Sequence, residues 1–262
     1  MTASLPADQF NPDLRGQRIG LSGAVPDPDE WGGRALDWEI LNAVTTLADT
    51  VFRGGAHLVH GSHPSFTPRI LAQAEPYARE RGEPVVTFVL SGLFADGMLA
   101  RQLQDPRHAG VLRLILVDPV YPPGHEGQGA EDSAVRNASL AAMRDRLVNE
   151  MDSLVIIGGK RWAGTGNKPG TLEELELARA RGIPYFAMGG FGGMAADLAA
   201  ELEHQGQVST RGLDGPSLTK AGRLAVDRPN AARRFDDTFI RTSNDYDRAI
   251  GRIAERLAAT GP

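Results

Sequence analysis

The chain predicts an α/β protein: a doubly wound, Rossmann-like parallel sheet flanked by helices, in a single domain with a C-terminal helical extension. Three observations predict it. Short runs of β-branched and aliphatic residues recur along most of the chain. Helical patterns separate nearly all of them, and such β-α-β alternation implies parallel pairing through right-handed crossovers. Small residues, mostly glycine and serine, follow almost every run, where tight strand-to-helix turns belong.

The elements follow in order. A polar leader over residues 1–16 precedes the apolar run Arg18–Ala24, which ends in small residues and a Pro/Asp loop. A helical pattern runs from about Arg34 to Phe52, the next strand is Ala56–His60, and a helix follows over Thr67–Arg81. The runs Pro84–Leu90 and Val111–Val117 are the clearest strands. Both are continuous and aliphatic, as strands buried on two faces should be. The segments at Val85–Leu90, Leu112–Val117 and Leu154–Ile157 are therefore expected in the middle of one parallel sheet, since edge strands need polar relief. A helix from about Asp132 to Glu150 carries Leu140, Met143, Leu147 and Met151 at core-facing spacing. Strands at Asp152–Ile157 and Pro184–Met188 complete the Rossmann-like body, placed at residues 17–203. From His204 to Pro229 the chain is rich in Gly, Pro and polar residues and reads as a loop. An amphipathic stretch, Asp245–Ala259, reads as a helix that returns to the body, so residues 204–262 form the extension.

Composition narrows the function. A length of 262 residues suits one large α/β domain, and 41% hydrophobic residues suffice for a core. Net charge is −5 with no strong basic run, which disfavours extended nucleic-acid binding but leaves room for a small phosphate-bearing ligand. There are no cysteines, which rules out disulfides, thiolate nucleophiles and Cys-ligated zinc. No secretory h-region and no membrane-length apolar stretch are visible, so a cytoplasmic location without membrane partners is expected.

In open parallel sheets ligands sit outside the carboxyl ends of the strands. The residues there are Ser22-Gly23, Gly61-Ser62-His63-Pro64, Ser91-Gly92, Asp118-Pro119, Gly158-Gly159-Lys160 and Gly189-Gly190 with the glycines after them. Turn chemistry alone explains any one of these glycines. Their recurrence on one edge of the sheet points to backbone amides kept open for a ligand.

The stretch from Gly158 to Glu174 carries the most information. It leaves a strand and opens a helix, with Thr171 as an expected N-cap and Glu174 three residues on, a capping-box spacing. Two readings stand. The pair can simply start the helix, or Gly170, Thr171 and the free N–H groups can bind an anion while Glu174 holds a ribose hydroxyl or works as an acid or base. Arg144 likewise reads either as a solvated border residue of its helix or as a phosphate ligand. His57, His60 and His63 are read as alternating along one strand and its exit, on one side of the sheet. No acidic residue joins them, so satisfied or exposed histidines are expected rather than a metal site. No metal and no cofactor is expected. Gly-x-Ser-x-Gly and P-loop motifs are missing, and Gly189–Gly193 lacks the dinucleotide fingerprint spacing.

These residues resemble the SLOG superfamily. It includes the "lonely guy" cytokinin-activating phosphoribohydrolases, DNA-processing Rossmann proteins, and nucleotide-sensing domains of anti-phage systems and melastatin-type channels. Pro169–Glu174 is similar to the Pro-Gly-Gly-x-Gly-Thr-x-x-Glu signature of the phosphoribohydrolases, and Met143-Arg144 to their Arg-bearing helix. Gly61–Pro68 and Gly189–Gly193 look closer to standalone bacterial SLOG sensors or effectors. The resemblance covers roughly Arg18 to Leu202. Two departures stand out: the phosphoribohydrolase loop Gly-Gly-Gly-x-x-Gly is here Gly61-Ser-His-Pro-Ser65, and Lys160 to Lys168 separate Gly158-Gly159 from Pro169-Gly170. The resemblance implies a sensor or processor of a nucleotide-derived ligand, NAD-related or cyclic, with anti-phage defence among the roles. It also implies a homodimer or higher homo-oligomer. Its alternative is an enzyme that cleaves or transfers at an N-glycosidic bond, with Glu174 and Arg144 catalytic. A third reading is a scaffold with a vestigial pocket.

Overall fold

The computed structural model describes residues 13–25, 37–161, 168–205, 224–227 and 246–260. The first twelve leader residues, the start of the first expected helix at 34–36, the glycine-rich stretch 162–167 and most of the expected loop after residue 205 lie outside the described residues.

The elements are β1 (Arg18–Ala24), α1 (Asp37–Arg53), β2 (His57–His60), α2 (Thr67–Arg81), β3 (Val86–Ser91), α3 (Met98–Leu103), β4 (Leu112–Val117), α4 (Ser133–Asn149), β5 (Ser153–Gly158), α5 (Gly170–Ala180), β6 (Tyr185–Met188), α6 (Gly193–Gln205), β7 (Leu224–Asp227) and α7 (Tyr246–Thr260). They build one sheet in the order β4-β3-β2-β1-β5-β6-β7, a Rossmann-like α/β fold. Strands β1 to β6 are parallel. The chain walks outward from β1 to β4, crosses back through α4, and resumes at β5 on the other side of β1. The switch point, where Rossmann-like folds bind ligands, therefore lies between β1 and β5.

Two apolar layers follow from this path. Ile40, Val44, Leu47 and Phe52 of α1, Ile70 and Ala74 of α2, and Ile250, Ile253 and Leu257 of α7 cover one face of the sheet. Met143 and Leu147 of α4, Leu172 and Leu175 of α5, and Met194 and Leu198 of α6 cover the other. Strand β5, Ser-Leu-Val-Ile-Ile-Gly, is buried at every position, as a strand sandwiched between helices must be. Helix α7 packs on α1, and the buried Gln17 side chain donates to the Leu257 carbonyl at 2.8 Å.

Two expectations are corrected. Strand β4 is not central: it forms an edge of the sheet among the described residues, with Arg113 exposed and Leu116 45% exposed. Arg113, inside the aliphatic run, is the polar relief that marks it. Its guanidinium pairs with Glu150 and reaches Thr87 Oγ1. The stretch 204–229 is not loop throughout, because β7 lies within it and pairs antiparallel with β6. The sheet is thus six parallel strands closed by one antiparallel strand, and the polar and glycine-rich residues around Leu224–Asp227 hid a four-residue edge strand.

Candidate functional site at the strand ends

Outside the carboxyl ends of β1, β2, β3 and β5 lies a cavity of about 490 Å³. Its floor is Leu21–Ala24 from β1, His60–Pro64 from β2, and Leu90, Ser91 and Phe94 from β3 and the turn after it. One wall is the face of α4 that carries Arg136, Leu140, Met143 and Arg144. Lys160, Lys168, Gly170, Thr171 and Glu174 close the end nearest β5. From β3 to β5 is three strand spacings, or about 14 Å.

The backbone is shaped for this opening. Gly23 has φ +140°, and a Cβ there would lie 1.9 Å from the Ile157 carbonyl oxygen, so only glycine lets β1 run beside β5 at the switch point. Ser62 takes the left-handed conformation at φ +56°, uncommon without glycine, at the exit of β2. At this cavity, among the described residues, Ser62 Oγ and Arg144 Nε are buried without a hydrogen-bonding partner, and the buried Ser22 hydroxyl has only the Glu174 carboxyl to face. Buried polar atoms are satisfied almost everywhere in folded proteins, so two such atoms around one cavity mark a place where a ligand can complete them.

The expected capping box does not form. Helix α5 begins two residues earlier, at Gly170, with Pro169 rather than Thr171 at the N-cap and no side-chain cap among the described residues. Proline fixes the φ that starts the turn, so Thr171 falls inside the first turn, where its side chain is buried against Gly159. The first N–H groups of α5 keep their positive dipole end unscreened by a cap. Glu174, freed from capping, lines the cavity.

Arg144 and Glu174 thus reach one cavity from consecutive helices. The guanidinium of Arg144 lies against the start of α5: a Cβ on Gly170 would be 2.8 Å from its Nη2. It pairs with Glu173 rather than Glu174, Nη1 to Oε2 at 2.5 Å. Glu174 Oε1 lies 3.7 Å from where a Gly61 Cβ would be. Burial pushes the Glu174 carboxyl above the ordinary range, with the Ser22 hydroxyl and the Arg144 charge pulling the other way.

The histidines divide. Residues three apart on a strand point to opposite faces, so His57 and His60 do not share a side, contrary to the reading of the sequence. His57 bonds Thr87 Oγ1 at 2.7 Å, and burial lowers its imidazole to about 4. His60 and His63 line the cavity. Among the described residues no group of three or more His, Asp or Glu side chains is arranged to hold a metal ion.

Ser22, Gly23, Gly61, Ser62, His63, Arg144, Gly170, Thr171 and Glu174 therefore gather at the cavity, while Gly158, Gly159, Gly189 and Gly190 do not line it. Gly158 and Gly159 end β5 behind Thr171, and the Gly159 carbonyl accepts from Met194 N at 3.0 Å. Gly189 and Gly190 form a 3-10 turn after β6, one strand beyond the switch point. The sequence reading missed Arg136 and Lys168 as lining residues, named Ser91 and Lys160 only as strand-end residues, and weighed His60 only for a metal. Arg136 had a visible signal: with Leu140 and Arg144 it forms an i, i+4, i+8 row on one face of α4.

No curated protein matches the chain. Among solved structures the X-ray structure of TM1055, a structural genomics target, is similar at 15% identity over 70% of this chain and 81% of that one, with a TM-score of 0.42. The family model described as SLOG cluster2 matches residues 13–214, which include every described residue of the cavity. The chain belongs to the SLOG cluster2 family.

Proposed function

We propose that the chain binds a phosphate-bearing nucleotide or nucleotide-derived ligand, NAD-related or cyclic, in this cavity and acts as its sensor. The charge of the lining carries the reading. In a protein of net charge −5, the described lining of the cavity gathers Arg136, Arg144, Lys160 and Lys168 with Glu174 as its one carboxylate, Arg144 being paired with Glu173 and Lys168 with Glu176 just outside it. Beside these cations lie the uncapped amides of α5 and the buried hydroxyls of Ser22 and Ser62, the partners a phosphate uses. Toward β3 the lining turns apolar, with Leu90, Phe94, Leu140 and Met143 suited to a flat base. Nucleoside 5′-phosphates are expected to raise the melting temperature, and the matching nucleosides to raise it less. A screen of mono-, di- and cyclic nucleotides with no shift at millimolar ligand would end this reading.

One observation favours a second reading, cleavage of an N-glycosidic bond. Burial holds the Glu174 carboxyl above its ordinary range inside the cavity, as general acids and bases require. Glu174→Gln separates the two. A sensor keeps most of its affinity, whereas an N-glycosidase still binds but loses release of free base by about two orders of magnitude or more. Wild-type protein that releases no base from any bound nucleotide leaves the sensor alone.

A further inference from the structure

The loop leaving β2 holds two imidazoles in different ways, and the difference sets what each can do. His60 is fixed at both nitrogens. Its Nδ1–H donates to the Leu21 carbonyl at 2.9 Å, and its Nε2 accepts from the His63 amide at 3.2 Å. A proton added at Nε2 would meet that N–H head on. Its ring is also packed near Phe66 and Phe88, with centroids at 5.9 and 6.2 Å. His60 is thus a neutral strut that sets the path of Gly61–His63.

Among the described residues His63 is held at one nitrogen only. Its Nδ1 faces Ser65 Oγ at 2.9 Å and accepts from the Ser65 amide at 3.3 Å. With Nδ1 an acceptor, the neutral ring carries its proton on Nε2, a donor on a residue that lines the cavity. The Ser65 hydroxyl is at once donor and acceptor, so it can accept from Nδ1–H if the ring gains a second proton. A second proton on His63 gives up the long contact from the Ser65 amide but keeps the Ser65 hydroxyl as its acceptor, whereas a proton on His60 Nε2 would meet the His63 amide with no such acceptor beside it among the described residues. Next to His63 stands Ser62, in its left-handed conformation and with a buried, unpartnered hydroxyl.

We infer that His63 binds the anionic group of the ligand directly, and that the site takes up a proton on His63 as the phosphate enters. This deepens the nucleotide reading and rests on it. The charged and titratable groups around the cavity are Lys160 after β5, Lys168 and Glu174 at α5, Arg136 and Arg144 on α4, and His60 on β2. In the empty site burial and the Lys160 charge hold the His63 imidazole below its ordinary value. A phosphate between His63 and Lys160 reverses the local sign and raises it. Binding then couples to proton uptake, so affinity rises as the pH falls through the bound-state value toward the free one.

The test is NMR titration of the histidine ring signals, His63 being assigned by loss of its signal in His63→Gln, with and without saturating inorganic phosphate or adenosine 5′-monophosphate. The expected result is a His63 value raised by about one unit or more on binding, which is roughly a tenfold linkage to affinity, while the His60 signals stay neutral. Calorimetry in buffers of different ionisation enthalpy should show proton uptake near neutral pH in the wild type and less in His63→Gln. The melting temperature of that variant checks that it folds. Binding by calorimetry with the His63 value unmoved or lowered overturns this inference and leaves the nucleotide reading standing. Absence of binding by either probe, with no ring signal displaced, overturns both.

Discussion

At the scale of single residues, Glu174 is the group whose behaviour is most specific. A carboxyl raised in the fold above its unfolded value adds stability that is fully present below the unfolded value and is lost as the pH rises through the folded one. Removing the charge should therefore stabilise the protein above that range. Glu174→Gln is expected to raise the melting temperature near neutral pH, with the gain shrinking as the pH falls through the raised folded value and gone below about 4.3, the ordinary carboxyl value of glutamate. Thermal denaturation across that range checks it, and a gain that grew on acidification would contradict the assignment. Destabilisation of this kind at a ligand cavity is what a functional site costs the fold. At this scale the sequence was legible in part. Residue type and strand-end position pointed to Ser22, Gly23, Gly61, Ser62, His63, Gly170, Thr171 and Glu174, all of which reach the cavity. The role of Thr171 was not legible, because a proline-started helix and a threonine-capped one share the same letters.

At the scale of elements, the turn after β5 must be held still for Lys160 and α5 to face β1. The structure does this with a buried ion pair: Arg161 Nε and Nη2 reach the Asp197 carboxylate of α6 at 2.5 and 3.0 Å, both residues buried. Removing either charge deprives the other of this pairing while it stays buried. Asp197→Ala is expected to cost about 3 kcal/mol or more, measured by denaturant unfolding, and a loss below about 1 kcal/mol would show the pair to be dispensable. Nothing in the sequence announced it, since Arg161 and Asp197 are 36 residues apart and each looks like an ordinary surface charge. Element types were legible because long apolar runs and helical periodicity are local properties. Sheet position was not. β4 and β3 read alike as aliphatic runs, and only the single Arg113 told them apart.

At the scale of the whole molecule, the path of the chain builds the site. Strands β1 to β4 run one way from the switch point, β5 and β6 the other, and α4 and the start of α5 line the gap. Four of the described lining residues of the cavity are basic, Arg144 paired with Glu173 and Lys168 with Glu176, and the apolar lining extends from them toward β3. The central claim is that a phosphate lies at the start of α5 with its base toward β3. The measurement that tests it most directly is a crystal structure of the protein with a bound nucleoside 5′-monophosphate. The account predicts the phosphorus within hydrogen-bonding reach of the amides at Gly170–Leu172 and of Ser22 or Ser62, with the base against Leu90, Phe94 and Leu140. A nucleotide bound away from the β1–β5 switch point, or reversed with its phosphate over β3, would contradict it.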